Sequence, residues 1–79
     1  MWIESVIDGH WFQAKVGSSA TKTGVNGGKV FKLIVSASDR WVEFNQECVC
    51  YNWDRSLDFD NAPPGLIGKI VEYCEGHTS

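Results

Sequence analysis

The chain has 79 residues and a net charge of −3 at neutral pH, and at that size it can close one hydrophobic core but not a second domain. Four Trp, four Phe and two Tyr in a composition that is 43% hydrophobic supply the apolar mass that disordered chains lack. No apolar run approaches the ~18 residues of a membrane helix, and the N-terminal stretch has neither the basic start nor the apolar centre of a secretion signal. A cytoplasmic protein with no membrane association is expected.

Cys48, Cys50 and Cys74 are an odd number of thiols, which fits reduced cysteines in a reducing compartment better than a disulfide framework. The charge is unevenly spread. Residues 1–40 carry five Lys/Arg against three Asp/Glu, whereas residues 41–60 carry Glu43, Glu47, Asp54, Asp58 and Asp60 against Arg55 alone. An acidic segment of this kind is either a solvated face or a surface that selects partners by sign.

The first elements are two β-rich runs, 2–7 and 10–16, joined by Asp8-Gly9, the dipeptide of a type I′ hairpin. That turn sets the register. Ile7 faces His10, Ser5 faces Phe12 and Ile3 faces Ala14 on one side, which is the expected core side. Val6 faces Trp11, Glu4 faces Gln13 and Trp2 faces Lys15 on the other, an amphipathic face.

Residues 17–28 are rich in Gly, Ser and Thr without hydrophobic period and read as a long loop. From 29 to 36 the nearly continuous Val30, Phe31, Leu33, Ile34 and Val35 predict a central strand covered on both faces. Further strands are predicted over 41–45 and over 48–53, the latter with Val49, Tyr51 and Trp53 on one side. Asn61-Ala62-Pro63-Pro64 suits a helix entry, and Leu66, Ile67, Ile70, Val71 and Cys74 form one helical stripe, so a helix is expected over about 62–75 with Gly76 as its terminator. Such a helix is marginal alone and must dock on a sheet face. The fold class is therefore α+β: an antiparallel sheet of four to five strands with one C-terminal helix on one face.

Met1-Trp2-Ile3-Glu4, Ile7-Asp8-Gly9, Phe12-Gln13-Ala14-Lys15-Val16, Gly24-Val25-Asn26-Gly27-Gly28-Lys29 and Tyr51-Asn52-Trp53-Asp54-Arg55 together resemble an uncharacterised family of short bacterial and phage proteins. The chain departs from that pattern at Cys48, Cys50 and Pro63-Pro64. The family has no assigned activity to carry over. The resemblance implies a phage or mobile-element setting, in which small acidic proteins bind and block a host protein, including CRISPR-type defence effectors.

Candidate chemistry follows from the polar residues. Cys48, Cys50, Cys74 and His77 could staple the fold with zinc, but Cys-x-Cys is not the usual knuckle spacing, and the alternative reading has the cysteines as packing residues. The glycines of 24–28 run into a strand, not into the helix that a phosphate loop requires. His10 and His77 lie beside a turn and near the C-terminus, and Asp54, Asp58 and Asp60 flank turns and a helix entry, so no enzyme is expected and no cofactor or metal is assigned. With a sequence pI of about 5.1, direct nucleic-acid binding is disfavoured despite a possible patch of Lys15, Lys22, Lys29 and Lys32. The leading expectation is a non-catalytic interaction protein that binds a host protein through Trp2, Trp11, Glu43, Glu47, Trp53, Asp54, Arg55, Asp58 and Asp60, the acidic groups imitating a nucleic-acid backbone in one version. A nucleic-acid- or ligand-binding module built on the 17–28 loop is the alternative, and the sheet edges leave a homodimer open.

Overall fold

A computed structural model of the chain describes residues 1–45 and 47–76. Five antiparallel strands form one sheet in sequential order: β1 (Trp2–Ile7), β2 (His10–Val16), β3 (Val30–Ser36), β4 (Val49–Asp54) and β5 (Leu57–Asp60). One helix, α1 (Leu66–Gly76), follows. The first hairpin has the predicted register, Ile7 opposite His10 through Trp2 opposite Lys15. Asp8 at φ 52° and Gly9 at φ 77° form its turn, both in the left-handed region that a type I′ turn requires.

The helix covers the Ile3, Phe12 and Ala14 side. Leu66, Ile70, Val71 and Cys74 pack with Ile3, Phe12, Ala14, Val16, Leu33, Val35 and Tyr51 in one buried cluster. Tyr73 meets Phe12 edge-on, the ring centroids 5.9 Å apart, the geometry that aligns a ring's positive edge with its neighbour's negative face. Burial of this stripe is what makes so short a helix stable.

Several sequence expectations are corrected. Residues 41–45 are not a strand: β3 already pairs with β2 on one edge and β4 on the other, which leaves the segment no ladder to join. The fifth strand is instead β5, which lies outside the predicted strands. Arg55 takes a left-handed φ of 63° and turns the chain back so that Leu57 pairs with Trp53 and Phe59 with Asn52. The helix starts at Leu66 and not near 62, because Gly65 has φ 81°, a value no α-helix accommodates; the Gly65 carbonyl accepts the first helical bond, from Lys69 N–H at 3.3 Å. At the other end Gly76 is the helix's last residue and not a terminator beyond it. Finally, β3 is central but covered on one face only, with Val30, Leu33 and Val35 buried and Ile34 half-exposed, since a single helix can cover a single face. On β4 the alternation is interrupted by a register shift opposite Ser36, and Val49, Cys50 and Tyr51 are all buried.

The 17–28 segment is less loose than its composition suggests. It contains a 3₁₀ turn, Val25–Gly27, whose Val25 is 3% exposed and joins the core cluster. Thr21 N–H donates to Gly28 O at 3.1 Å, Trp53 Nε1–H donates to Thr23 O at 2.8 Å, and Lys29 N–H donates to the Glu75 carboxylate at 3.4 Å. The loop is a clasp between β4 and the end of α1. Its close approach explains the glycine at its neck: a Cβ on Gly24 would lie 1.8 Å from Gly28 O.

Candidate functional site

With one sheet face sealed by α1, the opposite face remains open, and the register dictates what it carries. One cross-strand row runs Glu4, Gln13, Ile34, Asn52, Phe59; a second runs Trp2, Lys15, Lys32, Asp54; Val6 and Trp11 pair beyond them. Each row is a direct consequence of period-two alternation. Trp2 is 55% exposed and Val6 46%.

The β3–β4 connection adds two further aromatics to this face. Ser36 is fully buried, and its hydroxyl lies 2.8 Å from Arg40 O and accepts Ser38 N–H at 3.2 Å. Trp11 N–H donates to Ser38 O at 2.8 Å. These bonds curl residues 36–40 so that Trp41 meets Trp11, with ring centroids 5.5 Å apart and planes at 48°. The resulting groove, about 710 Å³, is lined by Glu4, Trp11, Gln13, Ile34, Asp39 and Trp41, with Arg40 at its rim. A second depression, about 300 Å³, continues the face towards Trp2, Lys32, Phe44 and Asn52. Phe44 and Val42 are each 57% exposed. Asn45 Oδ1 accepts Glu47 and Cys48 N–H at 2.8 and 2.9 Å and turns the chain into β4.

The residues singled out from the sequence are dispersed over several places. Trp2, Trp11 and Asp54 lie on the open face. Asp54 sits 3.9 Å from Lys32 Nζ and 3.4 Å from Arg55 Nε, exposed pairs worth about 0–1 kcal/mol each. Arg55 occupies the β4–β5 turn. Trp53 packs against the core cluster and spends its N–H on Thr23. Asp58 accepts Asn52 Nδ2–H at 3.0 Å, Asp60 accepts Ala62 N–H at 3.1 Å, and Glu43 accepts Asn45 Nδ2–H at 2.6 Å. Glu47 is exposed in the β3–β4 connection. The acidic segment thus divides between a loop, a hairpin tip and a strand end.

Cys74 is fully buried on the helix stripe, and Cys50 is buried with its thiol 3.6 Å from Ser36 O. Burial pushes the Cys74 thiol up to about 11, with the Glu75 charge adding to it. Burial also raises Cys50, opposed by a backbone hydrogen bond and reinforced by Asp60, and burial followed by the Asp60 charge raises Tyr51 to about 12. Among the described residues no group of three or more His, Cys, Asp or Glu could hold a metal ion; the His77 of the zinc alternative lies outside the described residues. His10 Nδ1 is 2.9 Å from Ser36 O. No helix of the described residues is long and apolar enough to cross a membrane.

Trp41, Phe44 and Ile34 belong to the open face although the sequence does not single them out. Two sit in a segment with strand character, and the third sits in an apolar run that predicts cover on both sides. Their only signal was apolar content.

The fold and the open face define a small α+β protein whose sheet offers one uncovered aromatic surface. The chain belongs to the family described as Domain of unknown function (DUF7678), which it matches over residues 1–73. That span takes in the whole sheet and most of α1, beyond the first 55 residues that carry the sequence resemblance. No curated protein and no solved structure matches the chain.

Proposed function

We propose that this chain is a non-catalytic interaction protein that docks a protein partner on the open face of its sheet. The observation that carries this reading is the set of large apolar side chains left uncovered there: Trp2, Trp41 and Phe44 are exposed and, with half-buried Trp11, line two adjoining depressions, and exposed Val6 pairs with Trp11 across the strands. Exposed apolar surface grouped in this way marks an interaction site more often than an idle surface, and Trp is the residue most favoured as an anchor. In the bacterial and phage setting that the resemblance implies, the partner is a host protein, a defence effector among the candidates, and binding blocks or modulates it. The non-catalytic reading is supported by the way the nucleophiles are used: two of the three thiols are buried with their ionisation suppressed, and the His10 ring faces a backbone carbonyl.

The test is affinity capture from host lysate with matched variants. Trp11→Ser with Phe44→Ser removes two anchors from the open face; Glu72→Lys alters the exposed side of α1. Loss of one defined partner with the first variant and retention with the second, at unchanged circular dichroism, is the expected result. Equal capture by all three proteins would overturn the docking face. Light scattering on the purified chain separates a foreign partner from a second copy of this chain on the same surface.

A further inference from the structure

We propose that the Trp11–Trp41 groove is a pocket for a guanidinium group, so that the partner engages the open face by inserting an arginine side chain; this rests on the docking reading above and names its chemistry. The two indoles pack against each other, ring centroids 5.5 Å apart and planes at 48°, and the aromatic surface they leave on the groove carries the negative side of their quadrupoles and attracts a cation. Glu4, an exposed residue that lines the groove and pairs across the strands with Gln13, has a carboxylate that makes no hydrogen bond or ion pair with any described residue. Asp39 at the rim contacts Arg40 Nε at 3.6 Å, with both side chains at least two-thirds exposed. Such a pair is screened and readily exchanged. Glu4 and Asp39 against Arg40 leave the groove with one excess negative charge, which favours a cation and opposes a carboxylate or phosphate.

The same face already binds one cation in this manner. Lys15 Nζ lies 5.4 Å from the Trp2 ring centroid and 5.7 Å from that of Phe31, so the neighbouring aromatic site is filled from within. Among the described residues no such cation lies over the rings of Trp11 and Trp41. An arginine suits the groove better than a lysine because its planar group stacks on an indole while its N–H edge reaches a carboxylate and an amide oxygen, here those of Glu4 and Gln13.

The probe is a capped Gly-Arg-Gly peptide, titrated into the full chain labelled with ¹⁵N and followed through the indole N–H signals. Saturable shifts of Trp11 and Trp41, with Trp53 unmoved on its Thr23 carbonyl, are expected. The isosteric Gly-citrulline-Gly peptide, which keeps the shape and lacks the charge, should bind at least tenfold more weakly. Glu4→Gln should weaken the arginine peptide roughly 5- to 30-fold, as expected for one charge-assisted hydrogen bond, without altering the melting temperature. Equal binding of the citrulline or a Gly-Glu-Gly peptide, or full affinity in Glu4→Gln, would overturn the pocket. If the peptides fail while Trp11→Ser with Phe44→Ser still abolishes capture of the partner, arginine recognition falls and the docking face stands; if capture is also unaffected, both fall.

Discussion

Replacing Gly24 with Ala tests whether the Gly-rich segment is a structural clasp. The new Cβ would sit 1.8 Å from Gly28 O and 2.6 Å from Gly28 C, whereas a carbon and a carbonyl oxygen come no closer than about 3.3 Å. Both atoms are backbone, so no rotamer change relieves the overlap and the neck of the loop must open. Opening it breaks Thr21 N–H to Gly28 O and strains Gly27 N–H to Gly24 O, each worth about 1 kcal/mol. It also loosens Val25, whose full burial is worth about 1.5–3 kcal/mol. A loss of about 3 kcal/mol is a large fraction of the stability of a domain this small, and corresponds to a fall in melting temperature of roughly 12–24 °C. The matched control is Gly68→Ala on α1, where a Cβ meets nothing within 4 Å; there the helix should gain about 0.5–1 kcal/mol. Thermal denaturation by circular dichroism reads both. A Gly24→Ala protein melting within a few degrees of wild type would refute the clasp, and destabilisation by Gly68→Ala would refute the account of α1.

Ser36→Ala removes the hydroxyl that holds Arg40 O and Ser38 N–H and should cost about 1–3 kcal/mol; it should also release Trp41 from Trp11, seen as loss of their exciton signal in circular dichroism. Val42→Pro should change the melting temperature little, because its segment joins no ladder, while Leu33→Pro in central β3 should prevent folding; a severe effect at Val42 would restore a strand there. Cys74 and Tyr51 hold their protons more tightly when folded, at about 11 and about 12 against ordinary values of 9.0 and 10.0. The folded state therefore binds more protons than the unfolded one above pH 9, so the stability these two groups contribute is fully present below pH 9 and is lost as pH rises from 9 to 12. Denaturant titrations across that range check the sign, and a rise would contradict it. At neutral pH Cys48, which is half-buried, should react with a thiol reagent before the buried Cys50 and Cys74.

The first hairpin is legible in the sequence because its determinants are local: two positive-φ residues at the turn set the register, and the register assigns every side chain of β1 and β2 to a face. The helical stripe is legible for the same reason, since period alone places Leu66, Ile70, Val71 and Cys74 together. Residues 41–45 and 57–60 resist this kind of reading because each has some strand character and pairing decides between them. Only the chain with a free ladder beside it becomes a strand, and β4 offers its outer edge to Leu57–Asp60 after the Arg55 turn. Composition likewise describes residues 17–28 as loose, while the Trp53 indole, the Glu75 carboxylate and buried Val25 tie them down from distant parts of the chain.

The candidate site divides in the same way. Alternation by itself places Trp2 and Trp11 with Glu4, Gln13 and Lys15 on one face of the hairpin, and the apolar stripe of α1 requires that some sheet face be covered. Which face the helix takes, and that the β3–β4 connection swings Trp41 and Phe44 beside the other, are decided by the tertiary structure. Period and turn chemistry act between near neighbours and can be read along the chain, whereas a groove between β2 and a loop thirty residues away exists only once long-range packing has brought its walls together.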